Sequence, residues 1–145
     1  MPSHYREIHH HTAAGFAVHD LTDAVQTVVT GTGVREGTVT VSSLHTTLAL
    51  TVNENEARLL DDMRHHLLRL MPPDARYRHN DIHLRDCPPD EPENAHAHLL
   101  AMLLGHAQTL IIHDGRLALG RWQSLLLVEL DGPRERRIAV QVVGE

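Results

Sequence analysis

Apolar positions along the chain recur with two rhythms, a period of two and a period of three to four. The period of two predicts strands over residues 4–12, 15–19, 38–44, 48–52, 109–113, 116–120, 123–130 and 136–143. Thr38-Val39-Thr40-Val41-Ser42-Ser43-Leu44 is the clearest, being both β-branched and alternating. Residues 4–12 are polar enough for an edge strand, with His9 and His11 on one face and His10 on the other. The longer period predicts three helices. Residues 22–30 carry the stripe Ala24, Val25, Val28 and Val29. Residues 54–70 carry Ala57, Leu60, Met63, Leu67 and Leu70, with Asn53 as N-cap and Glu56 completing a capping box. Residues 94–106 form the most apolar helix, capped by Asn94.

The punctuation is equally clear. Asp114-Gly115 between two apolar runs predicts a tight hairpin. Residues 72–93 hold five of the seven prolines, which predicts a long loop with a short extended piece near Tyr77-Arg78-His79. Strands outnumber helices and are joined by short turns. The expected fold class is therefore α+β, a largely antiparallel sheet or sandwich with about three helices, in one domain spanning residues 1–145.

Composition narrows the function classes. Aromatic residues make up 3% of the chain, too few for a base-stacking surface, and the formal charge is −6, so no nucleic-acid footprint is expected. All 13 basic residues are Arg, which excludes a Schiff-base lysine and a P-loop lysine. The single cysteine, Cys87, permits no internal disulfide. No signal peptide or membrane-length apolar run is apparent, so the expected location is cytoplasmic. The unusual count is 14 histidines.

Two polar clusters interrupt apolar elements. One is Asn94-Ala95-His96-Ala97-His98 at the start of the third helix; the other is Ser43-Leu44-His45-Thr46-Thr47 between two strands. Helical residues two apart point to nearly opposite sides, so His98 is preferred over His96 as a site residue. A helix N-terminus also keeps an imidazole neutral, as a ligand or a general base requires. With His45 and His79 it would form an open three-histidine site suited to zinc and a water. Ser43 is two residues from His45 and does not face it in a strand, which argues against a nucleophilic serine. Glu54 is a candidate base or supporting partner, and Asn94 and Gln123 are candidate ligand-binding residues. Arg134 and Arg136 follow Asp131-Gly132-Pro133; guanidinium forks at such a turn suit phosphate or carboxylate.

The segments His45-Thr46-Thr47, Asn53-Glu54, Asp61, His79, Asn94-Ala95-His96-Ala97-His98, Leu119-Gly120-x-Trp122-Gln123 and Glu129-x-Asp131-Gly132-Pro133-Arg134-x-Arg136 resemble the UPF0047 or YjbQ family over nearly the whole chain. The resemblance implies a compact α+β sandwich, a homotrimer with polar pockets at subunit contacts, and a site on His45, His79 and His98 with a bound divalent metal. It also implies an activity of the secondary thiamine-phosphate synthase type, in which a pyrimidine pyrophosphate and a thiazole phosphate condense and pyrophosphate leaves. Three imidazoles suit zinc better than the oxygen shell magnesium prefers, so metal-assisted hydrolysis of a phosphorylated molecule is the competing expectation. A non-catalytic trimer that binds a metal or an anion is the third.

Overall fold

The alternating segments become two antiparallel sheets facing one another. The structure, a computed structural model, describes residues 1–145. Its strands are β1 (Ser3–His11), β2 (Gly15–Asp20), β3 (Gly37–Ser43), β4 (Leu48–Asn53), β5 (Ala107–His113), β6 (Arg116–Leu117), β7 (Ser124–Gly132) and β8 (Glu135–Gly144). Its helices are α1 (Thr22–Thr32), α2 (Ala57–Leu70) and α3 (Ala95–Leu104). One sheet runs β1-β8-β3-β5-β6 and the other β2-β7-β4, with every pairing antiparallel. This is the α+β class that the patterning predicts.

The period of two decides what is buried. Val39 and Val41 of β3, Ile138, Val140 and Val142 of β8, Leu48 and Leu50 of β4, and Leu125 and Leu127 of β7 join one core cluster. Val25 and Val29 of α1 complete it. Each such side chain contributes about 1.5–3 kcal/mol of burial free energy. The opposite face of the smaller sheet presents Ala49, Val128 and Leu130 to Ala97, Leu100 and Ala101 of α3. The small alanines let α3 lie close to that sheet. No helix is long and apolar enough to cross a membrane.

Several boundaries differ from the sequence expectation, each for a local reason. Asn53 is the last residue of β4, paired with Ser124, so it cannot begin a helix. Instead its Oδ1 accepts the amide of Glu54 at 2.8 Å. Glu56 is the actual cap of α2; its carboxylate accepts the amides of Arg58 at 2.6 Å and Leu59 at 3.3 Å. The stripe of α2 is only half covered: the helix has no buried residue, and Leu70 is 57% exposed. Tyr77 is extended, as expected, but Arg78 and His79 are not: two short 3-10 turns follow, Arg78–Asn80 and Ile82–Leu84. Arg76 and Asp81 pair across the first, and the Arg85 guanidinium donates to the His79 carbonyl at 2.9 Å. The hairpin turn at Asp114-Gly115 is as expected, with φ of 52° and 77°.

Gly132 closes the approach of β7 to the β1–β2 turn, since a Cβ there would overlap the Ala13 carbonyl oxygen. Gly31, within α1, has open space around it. Gly132→Ala is therefore expected to lower stability by about 1–3 kcal/mol, and Gly31→Ala to raise it by roughly 0.5–1 kcal/mol. Urea unfolding midpoints of the two variants check this. Equal effects of the same sign would contradict it.

Candidate active site

The two sheets meet at one corner through the β3–β4 connection. Ser43 pairs with Ile138 of β8, while Leu48 pairs with Glu129 of β7. Residues 44–47 therefore cross from one sheet to the other beside the β7–β8 hairpin. Glu129 and Arg136 face each other inside that hairpin, 0% and 3% exposed. Both oxygens of Glu129 are used. Oε1 accepts from Arg136 Nε at 2.7 Å and from the Thr12 hydroxyl at 2.5 Å, and Oε2 accepts from Arg136 Nη2 at 2.5 Å. The backbone amide of Asp131 also donates to Oε2, at 3.1 Å. Burial alone would raise the Glu129 pKa, but these donors outweigh it and hold the carboxyl below its usual range. Arg136 Nη2 further donates to the Thr47 hydroxyl and carbonyl at 2.9 and 3.2 Å.

Arg136 is thus not the free solvated cation that its place in the turn suggests. Its Nε and Nη2 are held by protein; Nη1 has no protein partner and is not a buried orphan. Arg136 lines a hollow together with Arg134, Asn94, His45, His98 and one carboxylate, Glu91. Arg134 repeats the arrangement nearer the surface. Its Nε and Nη2 donate to the Asp131 carbonyl and carboxylate at 2.9 and 2.8 Å, leaving Nη1 free. The backbone of Arg134 is fixed by Thr12, whose hydroxyl accepts the Arg134 amide at 3.0 Å and whose own amide donates to the Arg134 carbonyl at 2.9 Å. The hollow is about 450 Å³, of small-molecule size.

His45 is oriented by the backbone of β8. Its Nε2 accepts the Arg137 amide at 2.9 Å. A neutral ring accepting there carries its proton on Nδ1, so it is a hydrogen-bond donor at that atom. Burial and then the Arg136 charge lower its pKa, which keeps the ring neutral. The Ser43 hydroxyl is engaged by this same loop, donating to the His45 carbonyl and accepting its amide, both at 3.1 Å. It has no free proton for a nucleophilic role.

α3 brings the remaining groups. Asn94 occupies the capping position but makes no side-chain cap; its amide instead donates to Asp131 Oδ2 at 2.7 Å. The cap comes from Asn80, whose Oδ1 accepts the Ala95 amide at 3.1 Å. His98 lines the hollow, and the ring of His79 stands 4.8 Å from it, centroid to centroid, near edge-to-face. His79 itself lines no part of the hollow. Burial, and then His79, lower the His98 pKa. His96 points away from the hollow, as the helical spacing predicts, but it is not featureless: its Nδ1 is buried without a partner.

The three-histidine metal set does not fit this arrangement. Two rings approach one another, but the third, His45, gives its lone pair to a backbone amide and carries its proton on the other nitrogen. No group of three or more His, Cys, Asp or Glu side chains is placed to hold a metal ion. Two further expected residues lie elsewhere. Glu54 follows the far end of β4, about 20 Å along the strand from His45. Gln123 precedes β7 at the same far end, where its Oε1 accepts the Gly120 amide at 2.8 Å and shapes that turn. Neither reaches the hollow within one chain, because β4 and β7 separate them from it.

Thr12 and Asn80 lie outside every motif, and Glu129, Thr47 and Asp131 fall within motifs that do not show their roles. A signal for Glu129 was present. Glu129 is a lone carboxylate in the run Leu125-Leu126-Leu127-Val128-Glu129-Leu130, and Arg136 falls in step with Ile138, Val140 and Val142. A charge at an inward position requires a partner. The link from Thr12 to residues 117 and 122 positions away carries no sequence signal.

A family model described as UPF0047 protein YjbQ-like matches residues 6–145. A UPF0047 protein of Methanothermobacter thermautotrophicus is 44% identical over 126 residues, covering 87% of this chain and 82% of that protein. One from Archaeoglobus fulgidus is 39% identical, covering 91% and 95%. A crystal structure of a YbjQ-like protein of unknown function from Sulfolobus solfataricus superposes with a TM-score of 0.89 at 36% identity, covering 99% of each chain. A YjbQ/UPF0047 family structure from Clostridium acetobutylicum gives 0.85 at 32% identity, covering 95% of this chain and 99% of that one.

Burial lowers the pKa of His19, His45, His96 and His98 in the folded state. In the unfolded chain these rings titrate near ~6.5. Below that value the unfolded chain binds protons that the folded one does not, so stability falls with pH through this window. Urea midpoints are expected to fall between pH 7.5 and 5.5, with a shallower fall in His98→Asn. A midpoint that rises on acidification would contradict the neutral-ring assignment.

Proposed function

The chain belongs to the UPF0047 family of YjbQ-like proteins, and on that footing we propose that it is an enzyme acting on a small phosphate-bearing molecule. The site is the hollow lined by His45, His98, Asn94, Arg134 and Arg136, with Glu91 the one carboxylate among its lining residues. The observation that carries this reading is a pair of arginines lining one hollow, each with Nε and Nη2 held by protein and Nη1 without a protein partner. Charge-assisted hydrogen bonds to a preorganised Arg fork are what a phosphate oxygen needs. His45 adds a neutral N–H donor, and His98 is a neutral ring suited to accept a proton. In a transfer of the thiamine-phosphate synthase type, the arginines would neutralise the departing pyrophosphate. Glu129 acts only by holding Arg136. A homotrimer is part of the proposal; the half-covered stripe of α2 and Trp122, 63% exposed, leave apolar surface for such contacts.

A second reading rests on the 4.8 Å approach of His79 and His98. These two rings would hold a divalent metal, zinc by donor type, which would polarise a phosphoryl oxygen or a water.

Titration calorimetry with inorganic phosphate at low ionic strength tests the first reading. The wild-type chain is expected to bind, and Arg134→Ala to bind at least about ten-fold more weakly, the loss of one charge-assisted hydrogen bond. Absence of binding to the wild-type chain would remove the proposal. Zinc titration of chelator-treated protein tests the second: stoichiometric binding that is lost in both His79→Ala and His98→Ala supports it, and no binding ends it.

A further inference from the structure

The hollow does not stop at the arginines. Leu44, His45, Thr46 and His98 line it, and the same four residues line a second hollow of about 560 Å³ on their other side. This second hollow runs over Leu48, Ala101 and Met102, and no carboxylate or guanidinium lines it. Leu48 and Ala101 form its floor, 0% and 8% exposed, while Leu44 and Met102 stand at its rim, 44% and 77% exposed. A charged compartment and an apolar one therefore share a single wall, with two imidazoles at the seam. Each alone is within the volume range of small-molecule sites. A free phosphate would occupy only the charged side and leave the exposed Met102 and Leu44 in water.

Taking the charged side as the anion site proposed above, we infer that the ligand is an amphiphilic phosphate monoester. Its dianionic head lies against Arg134 and Arg136. Its body, an apolar ring or short chain, lies over Leu44, Ala101 and Met102. His45 and His98 stand beside the linkage between the two parts, since they alone among the ionisable residues line both hollows. The commitment to a small ligand rather than a second copy of the chain rests on this adjacency: the apolar trough and the anion hollow share four lining residues.

Calorimetric titrations with inorganic phosphate and with phenyl phosphate test this. Phenyl phosphate is expected to bind at least about ten-fold more tightly, the factor for removing roughly 60 Å² of apolar surface from water. Met102→Gln should bring phenyl phosphate close to inorganic phosphate while leaving inorganic phosphate binding unchanged, and Met102→Leu should keep the difference. Met102 is exposed enough that neither variant threatens the fold. If inorganic phosphate binds and phenyl phosphate binds no tighter, the inference is overturned and the anion site stands. If neither binds, both fail. A preference for phenyl phosphate that survives Met102→Gln places the body elsewhere and overturns the inference. So does a Met102→Gln variant that changes only the size of the assembly in gel filtration, which would show a second copy covering the trough.

Discussion

The buried ion pair between Glu129 and Arg136 is the interaction on which the corner of this molecule depends. A lone charge at either position would be costly; removing one partner of such a pair typically costs about 3–5 kcal/mol. Here the cost is offset by geometry. The carboxylate receives four hydrogen-bond donors, from Arg136, Thr12 and the Asp131 amide. Those donors come from β7, β8 and the residue after β1, so one side chain ties together both sheets. The pair also decides what the site can be. With Nε and Nη2 of Arg136 held by protein, Nη1 is the one nitrogen without a protein partner, on a side chain that is fixed rather than mobile.

The other site groups are held by similar means. Thr12 fixes the backbone of Arg134 and hydrogen-bonds Glu129, so the two arginines share one anchor. Asp131 joins Arg134 to Asn94 and so joins the β7–β8 hairpin to α3. The Arg137 amide sets the tautomer of His45. Each of these uses a backbone group or a buried side chain, so the orientation of the lining atoms follows from strand register. The same register keeps Glu54 and Gln123 away, at the other ends of β4 and β7.

Much of the fold was legible in the sequence because it depends on local periodicity. The alternation in Thr38–Leu44 and in Arg136–Val143 marks strands whose inward residues are those buried in the core. Asp114-Gly115 marks its turn by chemistry alone. The failures lie where a local rule lost to tertiary pairing. Asn53 and Glu56 satisfy a capping box in sequence, but β7 claims Asn53 for the sheet. Asn94 caps by position, yet Asp131 takes its amide and Asn80 caps in its place. The candidate site shows the same division. His45, His98, Arg134 and Arg136 could be picked by residue type and converge as expected. The direction of the His45 lone pair could not, because it depends on a backbone amide 92 residues away. That one hydrogen bond occupies the lone pair a metal would need and leaves His45 with an N–H at Nδ1.

The central claim is that the Glu129–Arg136 pair aims a guanidinium nitrogen, together with the His45 N–H, at a phosphate oxygen. A crystal structure of the wild-type protein grown with a heavy tetrahedral anion such as tungstate tests it most directly, since the anomalous signal locates the anion without assumption. The account predicts the anion at about 2.7–3.2 Å from Arg136 Nη1 and His45 Nδ1, with Glu129 still bound to Arg136. An anion bound elsewhere, or a His45 ring turned so that Nε2 faces the hollow and coordinates a metal, would contradict it.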